Sequence, residues 1–207
     1  MAAAVDEDVY ATIATWLAGA TITGGHTVRV GPADPTTPHD ISADGVLCDL
    51  AFDAVAVDYL QTAQSILTTG TGNDVTSVVG KLGDLTLTGT LRWIAGSAAK
   101  AAEARNAMRV LLWRAAMESE TGGVGVDLSL TWHGATVPIR IGWPEPDALP
   151  MPADTYEQGR WVSSWRCLVE YPLFVYEDDP TTDLMNILVD LGDGIGPVGV
   201  DGWRPGD

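Results

Sequence analysis

Basic side chains are scarce. The chain of 207 residues has 11 Lys and Arg against 28 Asp and Glu, for a net charge of −17. Residues 1–90 hold only Arg29 and Lys81 against eleven acidic residues, and residues 175–207 hold Arg204 alone. Binding a nucleic-acid backbone requires clustered Lys and Arg, and such an acidic surface repels phosphate. Cysteine is scarcer still: Cys48 and Cys167 lie in strand-like runs without a CxxC or Cys/His pair, which suits small core residues rather than a metal site or a disulfide. The three histidines, His26, His39 and His133, form no HxxxH, HxH or HExxH pair, so zinc ligation is unsupported. No run nears the roughly 18 apolar residues of a membrane span. The start MAAAVDEDVY lacks the basic and apolar regions of a signal peptide. These absences predict a soluble protein of a reducing cytoplasm that does not engage membranes.

Catalytic signatures are missing too. The GTGND segment (Gly70–Asp74) lacks the Lys and Ser/Thr that close a phosphate loop, and Asn73-Asp74 puts negative charge where phosphate sits. GDGIGPVG (Gly192–Gly199) fails likewise, and Asp190 with Asp193 supply too few oxygens for an EF-hand. There is no GxSxG elbow. Acidic pairs abound only because the chain is acidic. The expectation is a protein that is not an enzyme and carries no cofactor.

Apolar residues are plentiful at 46%, enough for a core without disulfides. Leu85–Met117 reads as one unit. Leu85, Leu87, Leu91 and Trp93 alternate with Thr86, Thr88, Thr90 and Arg92, which predicts a half-buried strand. The strand feeds a helix over 97–119, with Ala101, Ala104, Met108, Leu111, Leu112 and Ala115 as its apolar stripe. Ser97 can cap its start, and Gly122-Gly123 follows its end. Asp6–Ala18 predicts a first helix with Val9, Ile13, Trp16 and Leu17 on one face. Strands are expected at His26–Gly31, Val46–Phe52, Val75–Val79 and Gly159–Val175, with a hairpin over Val126–Trp143 that turns at His133-Gly134. Pro138 marks an edge or a bulge. The run after Phe52 fits either a strand followed by a short helix or continuous extended chain, with a tip at Thr68–Asp74.

Eight tryptophans stand against two phenylalanines. Trp93, Trp113, Trp132, Trp143, Trp161 and Trp165 fall on the elements just named, where they can build a core or anchor an interface. A sugar-stacking platform lacks identifiable polar partners.

The fold class is α+β: a mixed, largely antiparallel sheet packed against a long central helix (97–119) and an N-terminal helix, with extended arms. Residues 1–175 form a single domain, with a loop arm at 31–45, an insertion at 53–80 and a Pro-rich arm at 144–155. Residues 176–207 form an acidic tail whose one apolar stretch, Leu184–Leu191, suits a short helix that needs a partner surface.

The order of Asp6–Ala18, Leu85–Met117, Val126–Trp143 and Gly159–Val175 resembles the tail terminator and neck (head–tail joining) proteins of tailed bacteriophages. The resemblance implies a structural subunit of a homo-oligomeric ring, usually a hexamer, that caps the tail tube and joins it to the head. Its partners are then further copies of itself and tail tube, sheath or connector proteins. DNA passes through an acidic lumen without specific binding, and the site of action is the virion, assembled in the host cytoplasm. The alternatives are a baseplate or other tail or head-completion component and, from different classes, a glycan-acting hydrolase or a soluble binding module. Arg105, Arg109 and Trp113, on the helix face away from Met108, Leu111 and Leu112, are the candidate subunit interface. Arg114 shares that helix, but Glu103 and Glu118 sit among these arginines, so an ordinary solvated face is the competing expectation.

Overall fold

Strict alternation places Leu85, Leu87, Leu91 and Trp93 on one side of a strand, and in the computed structural model all four are buried. The structure describes residues 3–32, 41–71, 74–118, 125–142 and 154–178. In chain order the elements are β1 (Ala3–Ala4), α1 (Asp6–Ala18), β2 (Thr27–Pro32), β3 (Val46–Thr71), β4 (Asp74–Ala95), α2 (Ala98–Glu118), β5 (Gly125–Trp132), β6 (Ala135–Gly142), β7 (Thr155–Glu157) and β8 (Arg160–Asp178). The class is α+β, with two helices among the described residues and one mixed, mostly antiparallel sheet ordered β2-β3-β4-β8-β6-β5. Only β2 and β3 run parallel. β4 stands in the middle of this sheet, paired with β3 on one side and with β8 on the other. The free side of β8 is taken in turn by β7, β6 and β1.

Cross-strand register assembles the core in rows. Trp93 lies between Cys48 and Ser163, Leu91 between Leu50 and Trp165, and Leu87 beside buried Val169, with exposed Val55 on its other side. On this side α1 contributes Val9, Ile13 and Leu17, and α2 contributes Met108, Leu111 and Leu112. Burying each of these side chains contributes about 1.5–3 kcal/mol. Ser97 caps α2: its Oγ accepts the Lys100 amide at 3.4 Å, and its carbonyl accepts the Ala101 amide at 3.0 Å. Helix α1 touches both β2 and β5, the two ends of the strand order, so the sheet curls round it. Two polar ties fix its start, where the helix dipole favours acids. Tyr171 donates to Asp6 at 2.6 Å, and the Trp132 indole donates to Asp8 at 2.9 Å.

The stretch after Phe52 stays extended throughout, and no helix interrupts it. Its partner β4 supplies Thr76, Val78 and Val79, and β-branched residues suit a pleated surface. Register shifts at Phe52/Ala54, Tyr59/Gln64, Ser65/Leu67 and Thr69/Gly70 bend the long hairpin. At the largest of these, Gly83 lies so close to β3 that a Cβ there would sit 2.4 Å from the Asp58 carbonyl. The β5–β6 turn is at His133-Gly134 with positive φ at both residues, 46° and 85°, as a tight hairpin demands. Pro138 sits opposite Ser129, on a part of β6 that no other strand pairs.

Of the expected arms, the described parts are the ends. Ile41, inside the expected 31–45 arm, is buried with Leu47 and Ile94 on the face of the sheet away from the helices, so this end of the arm packs on its own subunit. Asp154, at the end of the Pro-rich segment, accepts hydrogen bonds from Arg105 and Ser163. Residues 33–40 with His39, residues 143–153 with Trp143, and residues 179–207 lie outside the described residues. So do the 72–73 tip and the glycine run after α2.

Candidate assembly surfaces

The cysteines, Tyr171, His26 and His133 are engaged in packing. Cys48 and Cys167 are free, buried and on different strands with β4 between them. Burial, and next the neighbouring Asp49, raises the Cys48 thiol well above its ordinary value. Burial, and next the charge of Asp53, pushes Cys167 up to about 12. Both thiols therefore stay protonated and poorly nucleophilic. The Tyr171 hydroxyl is raised by burial and by donating to Asp6. His26 packs against Trp93 with ring centroids 5.3 Å apart. His133 stacks flat on Tyr176 at 3.5 Å. Among the described residues no group of His, Cys, Asp and Glu is placed to hold a metal ion, and no helix is long and apolar enough to cross a membrane.

The outward face of α2 separates the three residues predicted to lie there. Arg105 is engaged within its own chain, donating to Asp154 at 2.6 Å. Arg109 is exposed and among the described residues reaches Asn106, at 3.4 Å. Trp113 is 63% exposed. Val110 joins it at 48% exposure, one turn away. Its spacing with Trp113 was visible in the sequence, but an isolated valine gives no reason to prefer it. Beside this face runs a groove of about 510 Å³, walled by Gly19, Thr21, Asn106, Val110, Leu111 and Arg114.

The second surface is an edge. Strand β2 accompanies β3 as far as Phe52, and from Asp53 to Thr71 no strand among the described residues pairs with that side of β3. Val55, Tyr59 and Ile66 on this stretch are 63%, 67% and 43% exposed. Edge strands in monomers are guarded by Lys, Pro or bulges. Residues 53–71 contain no Lys, Arg or Pro, and their only charges are Asp53 and Asp58. Bulges are the one guard present among the described residues. The inner side of the hairpin end is supported: Leu67 is half-buried, and its Cδ2 would stand 3.0 Å from a Cβ added at Gly134 in the β5–β6 turn.

The face of the sheet away from the helices carries a charged row that sequence spacing did not reveal. Register aligns Arg29, Asp49 and Arg92 across β2, β3 and β4. Asp49 is 2% exposed. It accepts from Arg29 Nη2 at 3.2 Å and from Arg92 Nη2. Farther along, Arg166 of β8 reaches over β4 to Asp53 at 3.3 Å. A buried carboxylate between two guanidiniums pins strand register, since a slip by one residue strands all three charges. Arg29, one of two bases in the first 90 residues, is thereby engaged inside the subunit. Comparison with known protein families finds none that matches the chain, and comparison with curated proteins finds no match either.

Proposed function

We propose that the chain is a structural ring subunit of a tailed-bacteriophage neck, a tail terminator that caps the tail tube and joins it to the head. The observation that carries this is the β3 edge over 53–71, long, free of basic residues, and bearing exposed Val55, Tyr59 and Ile66. An edge of this kind on an otherwise well-packed subunit favours pairing with another chain. The identity of the assembly rests on the order of elements, from first helix through strand-into-helix and hairpin to last long strand, which resembles that family. In this reading α2 is the central support of the sheet, and the arms 31–45, 144–155 and 176–207, outside the ends that pack on their own subunit at Ile41, Asp154 and Tyr176, reach neighbouring subunits or tail tube, sheath and connector proteins. A closed ring joins two different patches of each copy. A net charge of −17 suits a channel through which DNA passes without sticking.

Mass photometry and negative-stain images of the purified protein test this. The expected result is a closed ring, six copies of the 21.8 kDa chain. A stable monomer over the whole concentration range in tail-assembly buffer sinks it.

A further inference from the structure

We propose that the outward face of α2 in one copy docks on the β3 edge of the next copy. Val110 and Trp113 pack there against Val55 and Tyr59, and Arg109 and Arg114 reach Asp58. The inference rests on the ring reading and names the two different patches that its closed contact joins.

The two patches hold four of the six large apolar side chains exposed among the described residues: Val55, Tyr59, Val110 and Trp113. In the ladder, Val55, Val57 and Tyr59 stand opposite Leu87, Leu85 and Gly83, so all three fall on the face that the helices cover nearer the start of β3. Val57 packs against the core between its two exposed neighbours. The stretch is a ledge of core with no covering layer among the described residues. A helix laid along such an edge is one way in which sheets protect it. Val110 and Trp113 lie one turn apart on α2, whose opposite side is buried at Met108, Leu111 and Leu112. Both patches are exposed in one and the same copy, so they do not meet within it, and a second copy is needed to bring them together.

Charge selects this pairing over contact of either patch with itself. Copies of net charge −17 repel at a distance, so a contact between them needs local charge of opposite sign. Residues 53–71 carry Asp53 and Asp58 and no Lys or Arg. Asp53 is engaged by Arg166 at 3.3 Å. Asp58 is exposed and faces Asp84 across the ladder, where Asp84 takes Lys81 at 2.8 Å. Like charges directly opposite weaken a sheet, and an arriving guanidinium relieves them. Two β3 edges set together would bring acid to acid. Two α2 faces related by a two-fold axis midway between Val110 and Trp113 would set Arg109 on the partner's Arg114. Only α2 on β3 sets arginine against Asp58. Tyr59 finds a seat as well. The groove of about 510 Å³ bordered by Val110, Leu111 and Arg114 has room for an aromatic ring, and a tyrosine filling a pocket is a common interface anchor.

The test uses full-length chains and a short bismaleimide cross-linker. One chain carries Val55→Cys and the other, differently tagged, Val110→Cys, so Tyr59 and Trp113 stay in place. Cys48 and Cys167 are buried and stay silent. A chain with Tyr156→Cys, at a site 64% exposed, reports random collision with each. The expected product is a linked pair of different chains, well above the collision control. Its yield should fall on the order of tenfold when the Val110→Cys chain also carries Trp113→Asp. That change is at an exposed site and leaves the circular dichroism spectrum as it was. Asp58→Arg in the Val55→Cys chain should lower the yield too, and Arg109→Asp/Arg114→Asp in the other chain should restore it, which a purely internal role of Asp58 would not produce. Yield equal to the control overturns the proposal, as does a yield that Trp113→Asp leaves unchanged. Chains of one kind that link to each other more than to the other kind place the contact on a single patch and overturn it as well. Rings that assemble without the cross-link overturn the docking and leave the ring reading standing. Linked chains that close as pairs and never form rings keep the docking and overturn the ring.

Discussion

Strands β3 and β4 form one hairpin with two contrasting halves. Near its open end, Val46–Phe52 has β2 on its edge, the helices on one face and the Ile41 cluster on the other. Beyond Phe52 the same ladder continues, β4 remains covered by β8, and Val78 and Val79 stay buried. Only β3, still paired with β4, lacks a second neighbour among the described residues, and there Val55, Tyr59 and Ile66 stand exposed. Val55 and Leu50 face the same row system on the same strand, yet one is 63% exposed and the other 2%. Backbone pairing is common to both halves, so the difference lies in the covering layers. The covered half holds the subunit together, and in the proposed reading the uncovered half takes another chain.

The sharpest way to break this division is Leu91→Ala against Val55→Ala. Leu91 is 2% exposed between Leu50 and Trp165. Removing it leaves a cavity and is expected to cost about 3 kcal/mol. Val55→Ala is expected to stay within about 0.5 kcal/mol. Urea unfolding of the two variants measures both, and equal losses would show that the halves are energetically one.

Asp49→Asn comes next. It leaves Arg29 and Arg92 facing a neutral amide on the covered half. Full burial of a broken pair costs about 3–5 kcal/mol. Here the arginines are 33% and 36% exposed, and water screens them, so about 1–2 kcal/mol is expected. Arg166→Ala, on the more exposed pair with Asp53, should cost less than half as much by the same urea midpoints. A larger loss from Arg166→Ala contradicts the idea that coverage sets the strength of each half.

These two rows also show what the sequence could reveal. Leu91 was legible because strand alternation needs no partner, and the stripe from Ala101 to Leu112 was legible from helical spacing alone. Asp49 was hidden in the apolar run VLCDLAF, because its partners come from β2 and β4 at distances that only strand pairing sets. The extended course of 53–71 was ambiguous for the same reason: a short apolar run fits a strand or a helix, and β4 decides between them. Arg105 carried a helix-face signal identical to that of Arg109, yet Asp154, 49 residues away, engages one and not the other. Local periodicity thus identified faces, while tertiary pairing determined which side chains on them are free.

Tyr59→Asp tests the uncovered half directly. Tyr59 is 67% exposed, so monomer stability should move by no more than about 0.5 kcal/mol. If the β3 edge takes another chain, a charge there opposes pairing, and mass photometry should show the oligomer shifting to monomer. Unchanged assembly would move the contact off this edge.

The smallest effect is a pH dependence at the top of the covered half. Glu103 of α2 accepts the Thr23 amide at 2.6 Å and Lys100 Nζ at 2.9 Å, joining the turn after α1 to α2. Hydrogen bonds from Thr23, then from Lys100, lower its carboxyl from 4.5 to about 2. A depressed acid binds fewer protons folded than unfolded between these values, so its contribution rises with pH across that window. It is fully present above about 4.5 and lost as pH falls through about 2. Glu103→Gln should therefore differ from the parent by a constant amount above that window, with the difference shrinking toward pH 2. Carboxyl NMR should place the Glu103 titration below the other glutamates. A difference that stays flat to pH 2 would show that the turn is held by packing at Ala20 and Ile22, both buried, and not by this carboxylate.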